Sequence, residues 1–185
     1  MGKVIVSNIV SLDGYIEGAN DELDWPVVEK EFFDYAEAML EATDVILFGR
    51  KTYEMMAAHW PTETVKKDDP VIAGKMNGLP KVIFSSTLTS IGWENSTLIK
   101  ANIEEEILRL KAKTQKDIVI LGSGSIVSQL TQANLIDEYR LIVNPVILGS
   151  GTPEFTGNIS RKVLKLTDLK RLKSGVVILY YQPIN

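Results

Sequence analysis

The sequence predicts an α/β fold, with a mostly parallel sheet covered by helices on both faces and an antiparallel edge. Three observations carry that reading. From Lys3 to Leu130, short apolar runs rich in β-branched residues alternate with amphipathic stretches, the pattern of strands joined by crossover helices. Beyond Leu135 the chain is strand-rich, and its last two runs flank the turn Lys173-Ser174-Gly175 as a hairpin does. Between these parts, Ile118 to Leu121 leads through Gly122-Ser123-Gly124-Ser125 into Ile126, Val127 and Leu130 at helical spacing. That order is strand, glycine-rich turn, helix. No internal repeat or linker interrupts the 185 residues, so one domain spanning 1–185 is expected.

In chain order, Lys3 to Val10 mixes apolar and small residues and reads as a central strand. Ser11 to Gly18 leaves it as an irregular loop, and Ala19 to Asp24 is polar and turn-rich. Trp25-Pro26 closes this loop, with proline suited to the first turn of a helix. Glu29 to Glu41 then sets Phe32, Phe33, Ala36, Met39 and Leu40 on one side of a helix. Asp44 to Phe48 is a second strand, running through Gly49-Arg50 into a helix over Lys51 to Ala58. Trp60 to Gly78 is charged and aperiodic and reads as a loop with at most a short helix. Lys81 to Phe84 and Ser96 to Lys100 are further strands, and Ile103 to Lys113 is a helix. After the glycine-rich turn, Leu135 to Val143 is a strand kinked at Asn144-Pro145, and Val146 to Leu148 ends at Gly149-Ser150-Gly151. Val163 to Leu172 pairs with Val176 to Tyr181 in the hairpin.

Composition narrows the function. Hydrophobic residues make up 45% and charged residues 24%, ordinary for a globular chain with a full core. The net charge of −4 and the absence of a basic stripe give no reason to expect a nucleic-acid partner. With no cysteine and a single histidine, His59, neither a thiolate metal site nor a histidine cluster can form, and no metal is expected. No apolar run approaches the roughly 20 residues that span a bilayer, so no membrane is expected and the cytoplasm is the default compartment.

In an open α/β sheet, ligands sit beyond the carboxyl ends of the parallel strands. Three such ends are suggestive here: Gly49-Arg50-Lys51-Thr52, Ser85-Ser86-Thr87 and Gly122-Ser123-Gly124-Ser125. Together they offer two helix N-termini, several hydroxyls and two cations, which suits a ligand with more than one phosphate. A Rossmann fingerprint fails because Val127 stands where the third glycine belongs, and no Gly-Lys-Ser/Thr completes a P-loop.

The order of these fragments resembles a known family. Gly49-Arg50-Lys51-Thr52-Tyr53-Glu54 resembles the G-R-x-T-x-E segment of dihydrofolate reductases, Ser85-Ser86 the serines after the next strand, and Leu121-Gly122-Ser123-Gly124 the glycine pair before a helix. Ser11-Leu12-Asp13-Gly14 and the turn Val146 to Gly151 are closer to the riboflavin-biosynthesis reductase branch, the RibD C-terminal domain. The resemblance runs from about Lys3 to Tyr181. It implies a dihydrofolate reductase-like, three-layer αβα domain that binds NADPH and forms a homodimer. It also implies site roles. Gly49, Arg50 and Thr52 would lie at the cofactor's phosphates, and Ser85 and Ser86 at its 2′-phosphate. Gly122, Ser123, Gly124, Ser125 and Ile126 would cradle the pyrophosphate. Ile9, Val10 and Ile16 would wall the nicotinamide.

Two departures stand out. The acid that binds pterin in dihydrofolate reductases has no clear match after Trp25, where Val27-Val28-Glu29-Lys30-Glu31 follows. The family's glycine pair is joined by a cis peptide, and here it reads Gly122-Ser123. A cis bond outside proline costs about 2.5–4 kcal/mol, so it is expected only if the cofactor site needs it.

The cofactor carries the chemistry of hydride transfer, and the protein aligns it and supplies a proton. Asp13 is the first candidate for catalysis and substrate binding, in the loop expected to face the nicotinamide; its alternative is a turn-forming Asp before Gly14. Trp25 is placed at the substrate, or else anchors its loop. Glu17, Asp24 and Glu31 rank lower as solvated charges, His59 as structural, and Tyr53 and Met56 as core. The expected function is an NADPH-dependent reductase of a small carbonyl, imine, or pyrimidine- or pterin-like substrate. The alternatives are dihydrofolate reductase itself and a catalytically silent NADPH-binding protein.

Overall fold

The computed structural model describes residues 1–184. The strands are β1 (Val4–Val10), β2 (Tyr15–Glu17), β3 (Thr43–Gly49), β4 (Lys81–Phe84), β5 (Ser96–Ile99), β6 (Asp117–Ile120), β7 (Glu138–Val143), β8 (Thr152–Pro153), β9 (Leu164–Arg171) and β10 (Val177–Pro183). The helices are α1 (Lys30–Glu41), α2 (Arg50–His59), α3 (Glu63–Asp68), α4 (Pro70–Gly78), α5 (Ile103–Lys113) and α6 (Gly124–Gln132). The main sheet has eight strands in the order β5-β4-β3-β6-β1-β7-β10-β9. It is parallel from β5 to β7, while β10 pairs antiparallel with β7 and with β9. This is the three-layer α/β arrangement with an antiparallel edge that the sequence pattern implies.

Strand alternation builds the two core layers. Ile5, Ile46, Phe48, Ile83 and Val119 face one side and pack with Tyr35, Met39 and Leu40 of α1, Tyr53 of α2, and Ile72 and Met76 of α4. Val4, Val6, Val45, Leu47, Ile118 and Ile120 face the other and pack with Ile107 and Leu110 of α5 and Ile126, Val127 and Leu130 of α6. The central strands read as unbroken apolar runs because both faces are covered.

The structure corrects several sequence boundaries. Residues 60–78 are mostly helical, not a loop. Thr62 caps α3 by accepting from the Val65 N–H, and Asp69 caps α4 by accepting from the Ile72 N–H, with Pro70 at its first position. Both helices are too short for a periodicity to show. Pro26 precedes α1 by several residues instead of opening it. There the Val27 N–H donates to Asn144 Oδ1 at 2.8 Å, and Glu29 and Glu31 accept from the Ser174 and Lys173 N–H groups. The loop after β1 contains β2, which pairs with the distant β8. β7 begins at Glu138, and just before it the Asp137 side chain accepts from the Val4 N–H at 2.7 Å and pairs with Lys111.

Lys81 is an unexpected core member, only 1% exposed. Its Nζ donates to the carbonyls of Met76, Asn77 and Leu79 at 2.9, 3.0 and 2.7 Å, and sits 4.6 Å from the Trp93 ring centroid. An ammonium is thus the C-terminal cap of α4. Burial lowers its pKa to about 8. Among the described residues, no helix is long and apolar enough to cross a membrane.

Candidate active site

Register places the three polar loops side by side. Gly49 of β3 is paired with Phe84 of β4, and Leu47 of β3 with Ile120 of β6. Arg50, Ser85 and the Gly122 turn therefore leave neighbouring strands at the same edge of the sheet. Ile120 also pairs with Val6, so β1 continues beyond that level with Ser7, Asn8 and Ile9.

The glycine-rich turn is made by conformation and clamped by side chains. Gly122 and Ser123 are both left-handed, with φ of 59° and 61°, and their peptide is trans. This corrects the cis expectation: two successive left-handed residues reverse the chain without an isomerised bond. A Cβ on Gly122 would lie 2.8 Å from Thr52 Oγ1, so glycine is required twice over. Asn8 grips the Gly122 peptide from both sides. Its Nδ2 donates to the carbonyl at 2.9 Å and its Oδ1 accepts from the N–H at 2.7 Å. The Ser123 N–H donates to Thr52 Oγ1 at 3.0 Å, and Ser123 Oγ accepts from the Gly49 N–H at 2.8 Å. Thr52 and Ser123 thus join α2 and β3 to the turn with their own polar groups, and both are buried.

Behind Asn8 lies Glu154, 2% exposed, both of whose carboxyl oxygens are 2.9 Å from Asn8 Nδ2. Burial pushes the Glu154 pKa up to about 8, against the lowering effect of the Asn8 hydrogen bond. Near neutral pH it is held mainly as the neutral acid.

In front of the turn opens a cavity of about 480 Å³. Ser7, Asn8 and Ile9 of β1 and Leu121 to Ser123 form its floor, with Ile16 and Trp25 from the β1–α1 segment. Phe32, Phe33 and Tyr35 of α1 and Met55 and Met56 of α2 line its sides. The Tyr35 Oη and Ser7 Oγ are 2.8 Å apart, and burial pushes the phenol up to about 12. This hydroxyl pair can hold a proton at the cavity floor and pass it to a basic atom formed there.

The expected site residues divide into three groups. Ile9, Ile16, Trp25, Thr52, Gly122 and Ser123 line the cavity. Gly49, Arg50, Ser85, Ser86, Gly124 and Ser125 follow the carboxyl edge of the sheet outside it. There Arg50 pairs with Glu54 at 2.9 Å, and Ser85 Oγ accepts from the Thr87 and Leu88 N–H groups. Val10 and Ile126 are buried outside the cavity lining, Val10 because successive strand residues point to opposite faces and Ile126 because it packs beneath Gly49.

Asp13 stands apart and corrects the expectation that it faces the cavity. It lies on an exposed turn outside the lining, accepting from Ser11 Oγ at 2.7 Å and from the Leu148 and Gly149 N–H groups at 3.1 and 2.8 Å. The Ser11 hydrogen bond leads in holding its pKa below the usual carboxylate range. A carboxylate so satisfied tethers two loops and is a poor proton donor. Asn8, Tyr35 and Glu154 escaped the sequence reading. The polar pair Ser7-Asn8 inside an otherwise apolar strand was the one signal that could have found part of this network.

The RibD C-terminal domain family model matches residues 2–178. The chain belongs to this family. Uncharacterized protein YyaP of Bacillus subtilis (strain 168) is 33% identical over 181 residues, covering 97% of this chain and 94% of that protein. The crystal structure of a putative riboflavin biosynthesis protein from Shewanella sp. PV-4 superposes with a TM-score of 0.78 at 25% identity, over 99% of both chains. A pyrimidine reductase-like protein from Corynebacterium diphtheriae shares the fold, with a TM-score of 0.70 at 15% identity, covering 100% of this chain and 92% of that one.

Proposed function

We propose that this RibD C-terminal domain protein is an NADPH-dependent reductase that delivers hydride to a small carbonyl, imine or heterocyclic substrate. The observation that carries this reading is the line of three strand-end loops that stops at the cavity. Adjacent strands lie about 4.8 Å apart, so the line from Ser85 past Arg50 to the Gly122 turn covers roughly 10 Å, the scale of a dinucleotide's phosphate-bearing half. The residues fit such a group. The N–H groups of Gly124 and Ser125 open α6 and have no partner inside it. A Cβ on Gly124 would come within 3.1 Å of the Glu154 carbonyl, so glycine lets β8 close behind the turn. Arg50 is half-exposed and Ser86 exposed, both accessible to a phosphate.

The bound dinucleotide supplies the hydride. The chain's own residues do the rest. Ile9 and Ile16 wall the reacting ring, the aromatic sides exclude water, and the Ser7–Tyr35 pair holds the proton that neutralises the reduced substrate. Folate reduction is disfavoured because no carboxylate of α1 lines the cavity: Glu29 and Glu31 hold the β9–β10 turn instead.

The test is a paired titration. Arg50→Ala is expected to weaken NADPH by about tenfold while leaving NADH within about twofold, as loss of one charge-assisted phosphate contact requires. Equal losses for both dinucleotides would remove Arg50 from the 2′-phosphate end.

A homodimer completes the proposal. β9 ends the sheet, and Val163, Leu166 and Leu169 are exposed on or beside it at 60%, 44% and 54%. An open strand edge carrying apolar side chains is suited to pairing with a second copy. Light scattering is expected to give twice the chain mass, and a monomer at micromolar concentration would end this part of the reading.

A further inference from the structure

The cavity is chemically lopsided. Ser7, Asn8 and the Tyr35 hydroxyl bring polar groups to its floor, whereas Trp25, Phe32, Phe33, Met55, Met56 and Trp60 supply a mostly apolar wall. Among the described residues, no lysine or arginine lines it. The ionisable side chains in the lining are Glu17, His59 and Tyr35. Glu17 is paired with Lys51 at 2.6 Å, and Lys51 is also held by Asp21 at 2.6 Å. Arg50 is engaged by Glu54 on its own helix. Each neighbouring cation thus already has a carboxylate partner in the fold.

Large apolar residues also reach the mouth. Phe33 is 40% and Met55 41% exposed, an arrangement that leaves apolar surface in water until something covers it. A phosphate or carboxylate entering this space would shed water with no lysine or arginine in the described lining to receive it.

Resting on the reductase reading above, we infer that the substrate is an uncharged, planar aromatic or heteroaromatic carbonyl or imine carrying no phosphate or carboxylate. Its flat faces lie between the aromatic and thioether walls, and its polar edge meets the floor hydroxyls. In the reaction the carbon of the C=O or C=N bond gains the hydride. The oxygen or nitrogen gains the proton from the floor, and the oxidised dinucleotide leaves with one fewer electron pair. A phosphorylated heterocycle is disfavoured in this pocket because no lysine or arginine is among its described lining residues.

The test uses two probes of one shape, para-methoxyacetophenone and para-acetylphenyl phosphate. Both are titrated calorimetrically into the full chain, with and without saturating NADP+, which binds without permitting hydride transfer. The neutral ketone is expected to bind at least about tenfold more tightly than the phosphate. Met55→Arg, which sets a cation at the mouth, is expected to reverse or erase that ratio. Equal or tighter binding of the phosphate by the parent chain overturns the inference, and so does failure of both probes to bind at millimolar concentration. The NADP+ titration separates the two readings. A chain that takes NADP+ but fails the ratio refutes the substrate class alone, and a chain that takes no NADP+ refutes the reductase reading whatever the ratio shows.

Discussion

Lys81→Met is expected to destabilise the fold by about 3 kcal/mol or more and to lower the melting temperature by roughly 10 °C. Methionine has a similar length but donates nothing, so the carbonyls of Met76, Asn77 and Leu79 lose their shared donor inside the protein. Each buried acceptor left unsatisfied costs about 1–3 kcal/mol. Burial of the ammonium, which lowers its pKa to about 8, is a cost that the substitution removes, and it keeps the net loss near the lower end of that sum. The ammonium also orders what lies around it. Trp93 stacks on Phe48 and donates through Nε1 to Asn77 Oδ1 at 2.7 Å, so the α4–β4 junction and the wall beneath α2 share one support. Denaturant unfolding measures the loss. A change below about 1 kcal/mol would mean that water or a shifted backbone satisfies the three carbonyls instead.

Glu154 should make stability fall as pH rises through the neutral range. Its folded pKa, pushed up to about 8 by burial, lies above the ordinary 4.5 of an unfolded glutamate. Between these values the unfolded chain has released a proton that the folded chain retains, so stability is fully present at the acid end and is lost toward the folded pKa. The slope is about 1.4 kcal/mol per pH unit, or roughly 4 kcal/mol between pH 5 and pH 8. The window is favourable, because Asp13, Asp44, Glu41 and Glu106 have lowered pKa values and titrate beneath it. Asp117, raised by burial, adds a smaller contribution of the same sign at the acid end. Glu154→Gln keeps an oxygen for Asn8 and cannot ionise, so its melting temperature should stay nearly level across the range and exceed the parent's at pH 8. A parent chain whose melting temperature is flat over that range would show that Glu154 is ionised in the fold, stabilised by groups other than Asn8.

The same network explains why the site was only partly legible. Gly49-Arg50, Ser85-Ser86 and Gly122 to Ser125 could be read because each loop follows a recognisable apolar strand, and the strand register then brings them together. Their side-chain duties could not be read. Ser123 and Thr52 look like free hydroxyls in the sequence, yet the structure spends both on holding the turn. Asp13 looks like an acid beside a ring and is a tether between loops far apart in the chain. Glu154 follows a proline in a stretch with no pattern and becomes a buried acid only because Asn8, 146 positions away, comes to meet it.

What the sequence by itself determined is what local physics encodes: the strand–helix alternation, the hairpin, the strand-end loops and the motifs that mark the RibD C-terminal domain family. Period and turn chemistry act over a few residues and need no partner to be visible. The tertiary structure alone decided which polar groups are free and which are spent, that residues 60–78 are mostly helical, and that no described lysine or arginine lines the cavity. Those outcomes depend on burial and on partners distant in the chain. A hydroxyl, an amide or a carboxyl has the same appearance in sequence whether it faces water, a ligand or the backbone of a loop from the other end of the protein.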